Sequence, residues 1–197
     1  MHPARCFSIF LSLLTIFSLT VSQAEDEKKS LTIKGKRPDG PFTEQKPGFL
    51  HFREVIITRE SSQRLKFDIT LAEDIPNDLK DSVSFYFGFD IDNDASTGTV
   101  FTTVPNAGFD MGFHIYRTKG MGLFKSWSNA ANLKGRSRDI DISGLKVKGN
   151  KIELMARSEL FRMYDSFKFY MVSNIDFYEK GKKVNEVDVD SIPSTKF

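Results

Sequence analysis

The segment Arg64-Leu65-Lys66-Phe67-Asp68-Ile69-Thr70-Leu71-Ala72 alternates polar and apolar side chains along its length. Successive side chains of a β-strand point to opposite faces of a sheet, so this period of two predicts an antiparallel strand with one buried face. Short segments of the same character recur along the chain with polar turns between them, and no segment keeps a helical period over three or more turns. The sequence therefore predicts an all-β fold, an antiparallel β-sandwich.

The other predicted strands cover residues 31–33, 51–58, 82–90, 109–119, 121–127, 140–147, 151–156, 167–176 and 184–189, and residues 158–161 are predicted to form a single helical turn. The chain contains 19 Phe. Most of those on strands, Phe67 and Phe87 among them, are expected in the core. Their large apolar area compensates for the absence of disulfides, because the only Cys is Cys6.

The N-terminal residues predict export. Residues 1–24 combine a short n-region bearing Arg5, an apolar run and small residues at Ser22 and Ala24, which is the pattern of a secretory signal peptide. The alternative is a membrane anchor, but the apolar run is shorter than the roughly 20 residues that span a bilayer. We therefore expect residues 25–48 to form a mobile N-terminal segment and loop, residues 49–197 to form the sandwich domain, and the protein to be secreted or periplasmic, with no membrane span after cleavage.

The composition argues against several functions. Lys and Arg number 28, Asp and Glu number 26, and the two signs are interspersed, giving a net charge of +2. This balance argues against nucleic acid or an acidic membrane as the main partner. The chain carries no G-x-S-x-G or H-E-x-x-H motif, and no Cys remains after signal cleavage to act as a nucleophile. We therefore expect a protein that is not an enzyme.

An acidic loop follows the strand predicted at 82–90. The run Phe89-Asp90-Ile91-Asp92-Asn93-Asp94-Ala95-Ser96-Thr97-Gly98 places carboxylates at Asp90, Asp92 and Asp94. Carboxylates this close repel one another unless a cation lies between them, and a hard cation with oxygen ligands, above all Ca²⁺, meets that need. The alternative is a plain surface turn, since Asp, Asn, Ser and Gly are ordinary turn residues.

Several segments together carry a family resemblance. They are residues 85–98, Gly108-Phe109-Asp110-Met111, the aromatic segment ending at Trp127, residues 149–154 before Ser158-Glu159-Leu160, and residues 188–193. With these segments the chain resembles the bacterial secreted sandwiches grouped with family 9 carbohydrate-binding modules and the DOMON-like domains. The resemblance implies a jelly-roll-like β-sandwich, often with a structural Ca²⁺ and a sugar-binding role. It also implies Asp110 as a fourth metal ligand beside the acidic loop.

Sugar binding needs a flat aromatic face with polar groups beside it. Trp127 is the only Trp, and it predicts a stacking platform together with Tyr116, Arg117 and Asn129. The ligand class expected is a glycan or cell-surface polysaccharide, while its identity and the oligomeric state stay open. The alternative is that Trp127 and Tyr116 are core residues and that the protein is a structural or interaction protein with no small-molecule site.

A third alternative, drawn from haem-binding relatives of the family, is a haem carrier. Haem iron takes axial ligands such as His or Met, and the candidates after signal cleavage are His51, His114 and Met111. Covalent attachment would require a Cys, which the chain lacks after its signal peptide. The sequence therefore favours carbohydrate over haem as the ligand class.

Overall fold

A computed structural model of the chain describes residues 28–36, 40–98, 108–120, 122–130, 140–164, 166–180 and 182–197. The predicted signal peptide (1–24) lies outside these ranges, as does part of the predicted N-terminal segment. Within the described ranges, no helix has the length and apolar character needed to cross a membrane.

The described part of the chain folds almost entirely as strands. The elements in chain order are β1 (Ser30–Lys34), a 3-10 turn (Gly48–Leu50), β2 (Phe52–Ser61), β3 (Arg64–Leu71), β4 (Ser82–Asp90), β5 (Met111–Arg117), β6 (Lys125–Ala130), β7 (Asp141–Lys148), β8 (Lys151–Arg157), α1 (Leu160–Met163), β9 (Lys168–Glu179) and β10 (Lys182–Lys196). They form two five-stranded sheets: sheet I in the order β1-β2-β3-β8-β7 and sheet II in the order β10-β9-β4-β5-β6.

Every neighbouring pair of strands in both sheets is antiparallel. The alternating segment 64–72 forms β3, the middle strand of sheet I, and its apolar residues are buried while its polar residues are partly or fully exposed. Strand β4 is the middle strand of sheet II. The predicted antiparallel β-sandwich is therefore confirmed.

The core lies between the two sheets and is dominated by Phe rings. Phe67 on β3 is fully buried and contacts rings from three strands of sheet II, with centroid distances of 5.5 to 6.3 Å to Phe87, Phe89, Phe113 and Phe169. Phe87 is 2% exposed and stacks on Phe113 at 4.2 Å. The predicted burial of Phe67 and Phe87 is confirmed, and so is the strand phase that it required.

The observed element boundaries differ from the predicted ones mainly in three places. Strand β10 spans Lys182–Lys196 rather than 184–189, because three register shifts against β9 interrupt the period of two that would have revealed its length. Strand β6 begins at Lys125, and the described residues before it belong to the turn after β5. The helical turn is centred about two residues later than predicted, at Leu160–Met163.

Candidate functional site

Three carboxylates converge where β4 ends and β5 begins. Asp90 is the last residue of β4, Asp92 lies in the loop that follows, and Asp110 directly precedes β5. One oxygen from each lies within 4.8 Å of the others, and Asp90 and Asp110 are only 3% and 0% exposed. This carboxylate cluster could hold a metal ion, which matches the coarser part of the sequence prediction.

Backbone hydrogen bonds position the cluster. The Asp110 Oδ2 atom accepts hydrogen bonds from the amides of Ile91 at 2.7 Å and Asp92 at 3.3 Å, and the Asp110 amide donates to the Phe89 carbonyl at 2.9 Å. The hydroxyl of Thr97 lies 3.0 Å from Asp92 Oδ2. Asp110 therefore ties the acidic loop to the start of β5.

One buried oxygen of Asp90 points separately to a bound cation. Its Oδ2 atom accepts a hydrogen bond from Lys168 Nζ at 3.0 Å. Its Oδ1 atom is buried and has no hydrogen-bond partner among the described residues. A buried carboxylate oxygen that loses water without gaining a partner is costly, and a coordinated cation would satisfy it.

Asp94 lies apart from the cluster. Its side chain is exposed, and its Oδ1 atom accepts hydrogen bonds from the amide of Ser96 at 2.9 Å and from the Ser96 hydroxyl at 2.6 Å. This local turn is typical of Asp, which competes with longer-range contacts by bonding the backbone two residues ahead. Of the four predicted ligands, the structure brings together Asp90, Asp92 and Asp110.

The electrostatics of the cluster favour either a proton or a cation. Burial raises the pKa of the Asp110 carboxyl above its usual range, the hydrogen bonds from Ile91 and Asp92 oppose that rise, and the charges of Asp92 and Asp90 add to it. Without metal, the contribution of Asp110 to stability is fully present below about pH 3.9 and is lost as the pH rises through its raised pKa.

We therefore expect Asp110→Asn to unfold at a higher temperature than the wild type at pH 7 in EDTA, because Asn keeps an acceptor oxygen without the charge. The difference should shrink as the pH falls toward 4. In Ca²⁺ the order should reverse, since the wild type gains about 2.7 kcal/mol at a concentration 100 times Kd and the variant gains little. Calorimetry at two pH values, with and without Ca²⁺, measures both effects. Equal melting temperatures of the wild type in millimolar Ca²⁺ and in EDTA would refute the metal site.

A row of aromatic side chains crosses the outer face of sheet II. Trp127 on β6, His114 on β5 and Tyr86 on β4 are register partners on adjacent strands, so their side chains share one face. The His114 ring lies 5.2 Å from Trp127, 5.0 Å from Tyr86 and 5.0 Å from Tyr116. We call these four residues the aromatic row.

The aromatic row changes from exposed to half-buried across the sheet. Trp127 is 53% exposed and lies on the edge strand, whereas His114, Tyr116 and Tyr86 are partly buried. Burial lowers the pKa of His114 below its usual range, because desolvation disfavours the charged ring. The row is therefore a largely aromatic surface with an accessible indole at its end.

The aromatic row and the carboxylate cluster are neighbours on this face. Phe109 precedes the cluster residue Asp110, lies against Gly88 and contacts the ring of Tyr170 at 5.6 Å. Together with Val172 these two rings form a small apolar cluster against which Tyr86 packs. Side-chain contacts thus connect Phe109, which adjoins the carboxylate cluster, with the aromatic row.

Of the other two predicted ligand contacts, Arg117 does not join the row. Arg117 follows Tyr116 in the strand and so points to the opposite face, where its guanidinium donates to the carbonyls of Pro76, at 3.1 Å, and Asn77. Asn129 is the register partner of Gly112, and its side chain lies outside the described part of the structure. Tyr86 and His114 were not predicted as site residues, because only the strand register brings them beside Trp127.

Two of the three candidate haem ligands lie on opposite faces of one strand. Met111 is 1% exposed and points into the core, while His114 lies on the outer face of the same strand. His51 is nearly buried, with its ring 5.2 Å from Phe42 and its Nδ1 atom 3.7 Å from a carboxylate oxygen of Asp190. Met111 and His114 therefore cannot bind opposite sides of one haem in this arrangement.

Two comparisons with known proteins do not identify a family: no model of a protein family matches the chain, and a search of curated proteins found no match. The described part of the chain forms an antiparallel β-sandwich with a buried carboxylate cluster next to an aromatic surface on one sheet.

Proposed function

We propose that the protein is a secreted or periplasmic, non-catalytic carbohydrate-binding protein related to family 9 carbohydrate-binding modules and DOMON-like domains, with a structural Ca²⁺ in the carboxylate cluster. Its ligand would be a glycan or cell-surface polysaccharide. The observation that carries the proposal is the exposed indole of Trp127 at the end of the aromatic row.

The chemistry of the row suits a sugar. A pyranose has apolar C–H faces that stack on aromatic rings, and its hydroxyl groups need hydrogen-bonding partners at the rim. Trp127 offers the accessible ring, and the phenol of Tyr116 lies in the same row. A core role for Trp127 would require a shielded indole, and an exposure of 53% argues against that role.

The chemistry of the cluster suits Ca²⁺ more than Mg²⁺. Ca²⁺ accepts a variable number of oxygen ligands from carboxylates and backbone carbonyls in flexible loops. Mg²⁺ demands near-ideal octahedral geometry and loses its water reluctantly. Three carboxylates on a loop and two strand ends fit the first ion better, and the ion would tie the loop after β4 to the start of β5.

We expect Trp127→Ala to weaken glycan binding by about 1–2 kcal/mol while changing the free energy of unfolding by less than about 1 kcal/mol. The reason is that stacking on an exposed ring is local and leaves the core intact. A glycan array with and without EDTA identifies the ligand, and titration with that ligand then gives the affinity. Trp127 is the only Trp, so its fluorescence reports binding at this position alone.

Leu123→Ala is the matched control. Leu123 is 79% exposed and lies in the turn before β6, outside the aromatic row, so its loss should leave glycan binding unchanged. If no glycan binds and no ligand alters the Trp127 emission, the interaction-protein alternative replaces the carbohydrate proposal. A Soret band in the purified protein would instead favour the haem alternative.

A further inference from the structure

The carboxylate cluster has a cation of its own. Lys168 on β9 is the register partner of Asp90 on β4, so the sheet itself places the ammonium group beside the cluster. Its Nζ atom lies 3.0 Å from Asp90 Oδ2 and 3.4 Å from the carbonyl oxygen of Asn93. The side chain is 38% exposed, so its charged ammonium group stays partly hydrated at the mouth of a buried site.

Lys168 contacts only one of the two carboxylate oxygens of Asp90. Oδ2 pairs with the ammonium group, whereas Oδ1 is buried and has no hydrogen-bond partner among the described residues. Asp90 can therefore offer Oδ1 to a metal ion without giving up Lys168.

The charges of the site favour a divalent over a trivalent cation. Asp90, Asp92 and Asp110 carry three negative charges when ionised, and within the described part of the chain Lys168 is the one cation that pairs with them. The sum is −2, which a single divalent cation neutralises. A trivalent cation would leave the same site with an excess positive charge.

We propose that Lys168 is a resident counter-cation that stabilises the metal-free cluster and sets both its affinity for divalent cations and its discrimination against trivalent ones. This inference rests on the proposed metal site. Lys168 partly compensates the repulsion between carboxylates when no metal is bound, and it repels an incoming ion by an amount proportional to the charge of that ion.

The test compares Lys168→Gln with Lys196→Gln. Lys196 is the register partner of Lys168 on β10 and is exposed, so its substitution makes the same change in net charge one strand away. Affinities for Ca²⁺ and Tb³⁺ are measured by isothermal titration calorimetry, and the melting temperature is measured in EDTA.

Lys168→Gln should lower the Kd for Ca²⁺ at least about tenfold and the Kd for Tb³⁺ by a larger factor, because the Coulomb term scales with the charge of the ion. It should also lower the melting temperature in EDTA. Lys196→Gln should change each of these quantities much less.

Equal Kd values for Ca²⁺ in the two variants would overturn the role of Lys168 while leaving the metal site standing. Absence of Ca²⁺ and Tb³⁺ binding in the wild type and in both variants would overturn the metal site itself. A lower affinity in Lys168→Gln than in the wild type would also refute the inference, since it would make Lys168 a support of the bound ion.

Discussion

Phe67→Ala should lower the free energy of unfolding by about 3–5 kcal/mol. Phe67 is fully buried, and its ring contacts Phe87, Phe89, Phe113 and Phe169 of the opposite sheet. Truncation removes the burial of the ring and leaves a cavity between two sheets that can collapse only in part. The effect is measured by urea denaturation, with the midpoint and the slope fitted separately.

Leu123→Ala serves as the control for this experiment too, because its side chain is 79% exposed and its loss should cost less than about 0.5 kcal/mol. A loss below about 1 kcal/mol for Phe67→Ala would show that the two sheets do not meet over this ring. An altered slope would indicate a change in the denatured or native ensemble rather than a simple loss of stability.

Strict alternation made the central strands predictable. Strand β3 was predicted at 64–72 and is observed at Arg64–Leu71, and β4 was predicted and observed at residues 82–90. Each is the middle strand of its sheet, where burial on the core face imposes the pattern. Strand β10 was underestimated because an edge strand with bulges is not held to a strict period.

The site residues that are close in sequence were predictable, whereas those brought together by strand pairing were not. Asp90 and Asp92 are two residues apart, and their chemistry was evident from the loop alone. Lys168 is 78 residues from Asp90 in sequence, and only the pairing of β9 with β4 brings it close. Pairing across a sheet depends on the whole topology, which a single segment does not reveal.

The face of the sheet to which each side chain points explains why some predicted residues join the aromatic row and others do not. Tyr116 and Arg117 are adjacent residues of one strand, so only one of them can lie on the face that carries Trp127. The register puts Tyr116 there and turns Arg117 toward the carbonyls of the segment after β3. His114 lies two residues before Tyr116 and therefore points to the same face and belongs to the aromatic row, although its sequence context carries no binding motif.

Gly98→Ala should destabilise the protein by about 2–5 kcal/mol and weaken Ca²⁺ binding at least tenfold. Gly98 has a φ of 76°, where an L side chain costs roughly 1–2 kcal/mol. A Cβ atom there would also overlap the carbonyl oxygen of Phe109 and lie 3.0 Å from the amide nitrogen of Asp110. Relief of that overlap requires the backbone to shift, which adds about 1–3 kcal/mol.

The overlap falls on the segment that carries Asp110 of the carboxylate cluster. The Asp110 amide donates to the Phe89 carbonyl, and its carboxylate accepts from the amide of Ile91. A backbone shift at Phe109 therefore displaces Asp110 relative to Asp90, although the substitution changes no charge and removes no carboxylate. Chemical denaturation in EDTA measures the stability loss, and calorimetric titration with Ca²⁺ measures the affinity.

Gly120→Ala separates the two causes. Gly120 has nearly the same φ, 77°, but no other part of the described chain lies within 4 Å of the Cβ that alanine would add. It should therefore lose only the roughly 1–2 kcal/mol of conformational strain and keep its affinity for Ca²⁺. Equal losses in the free energy of unfolding of the two variants would mean that the backbone near Phe109 moves to accommodate the added methyl group at little cost. Unchanged Ca²⁺ affinity in Gly98→Ala would mean that the position of Asp110 does not govern the metal site.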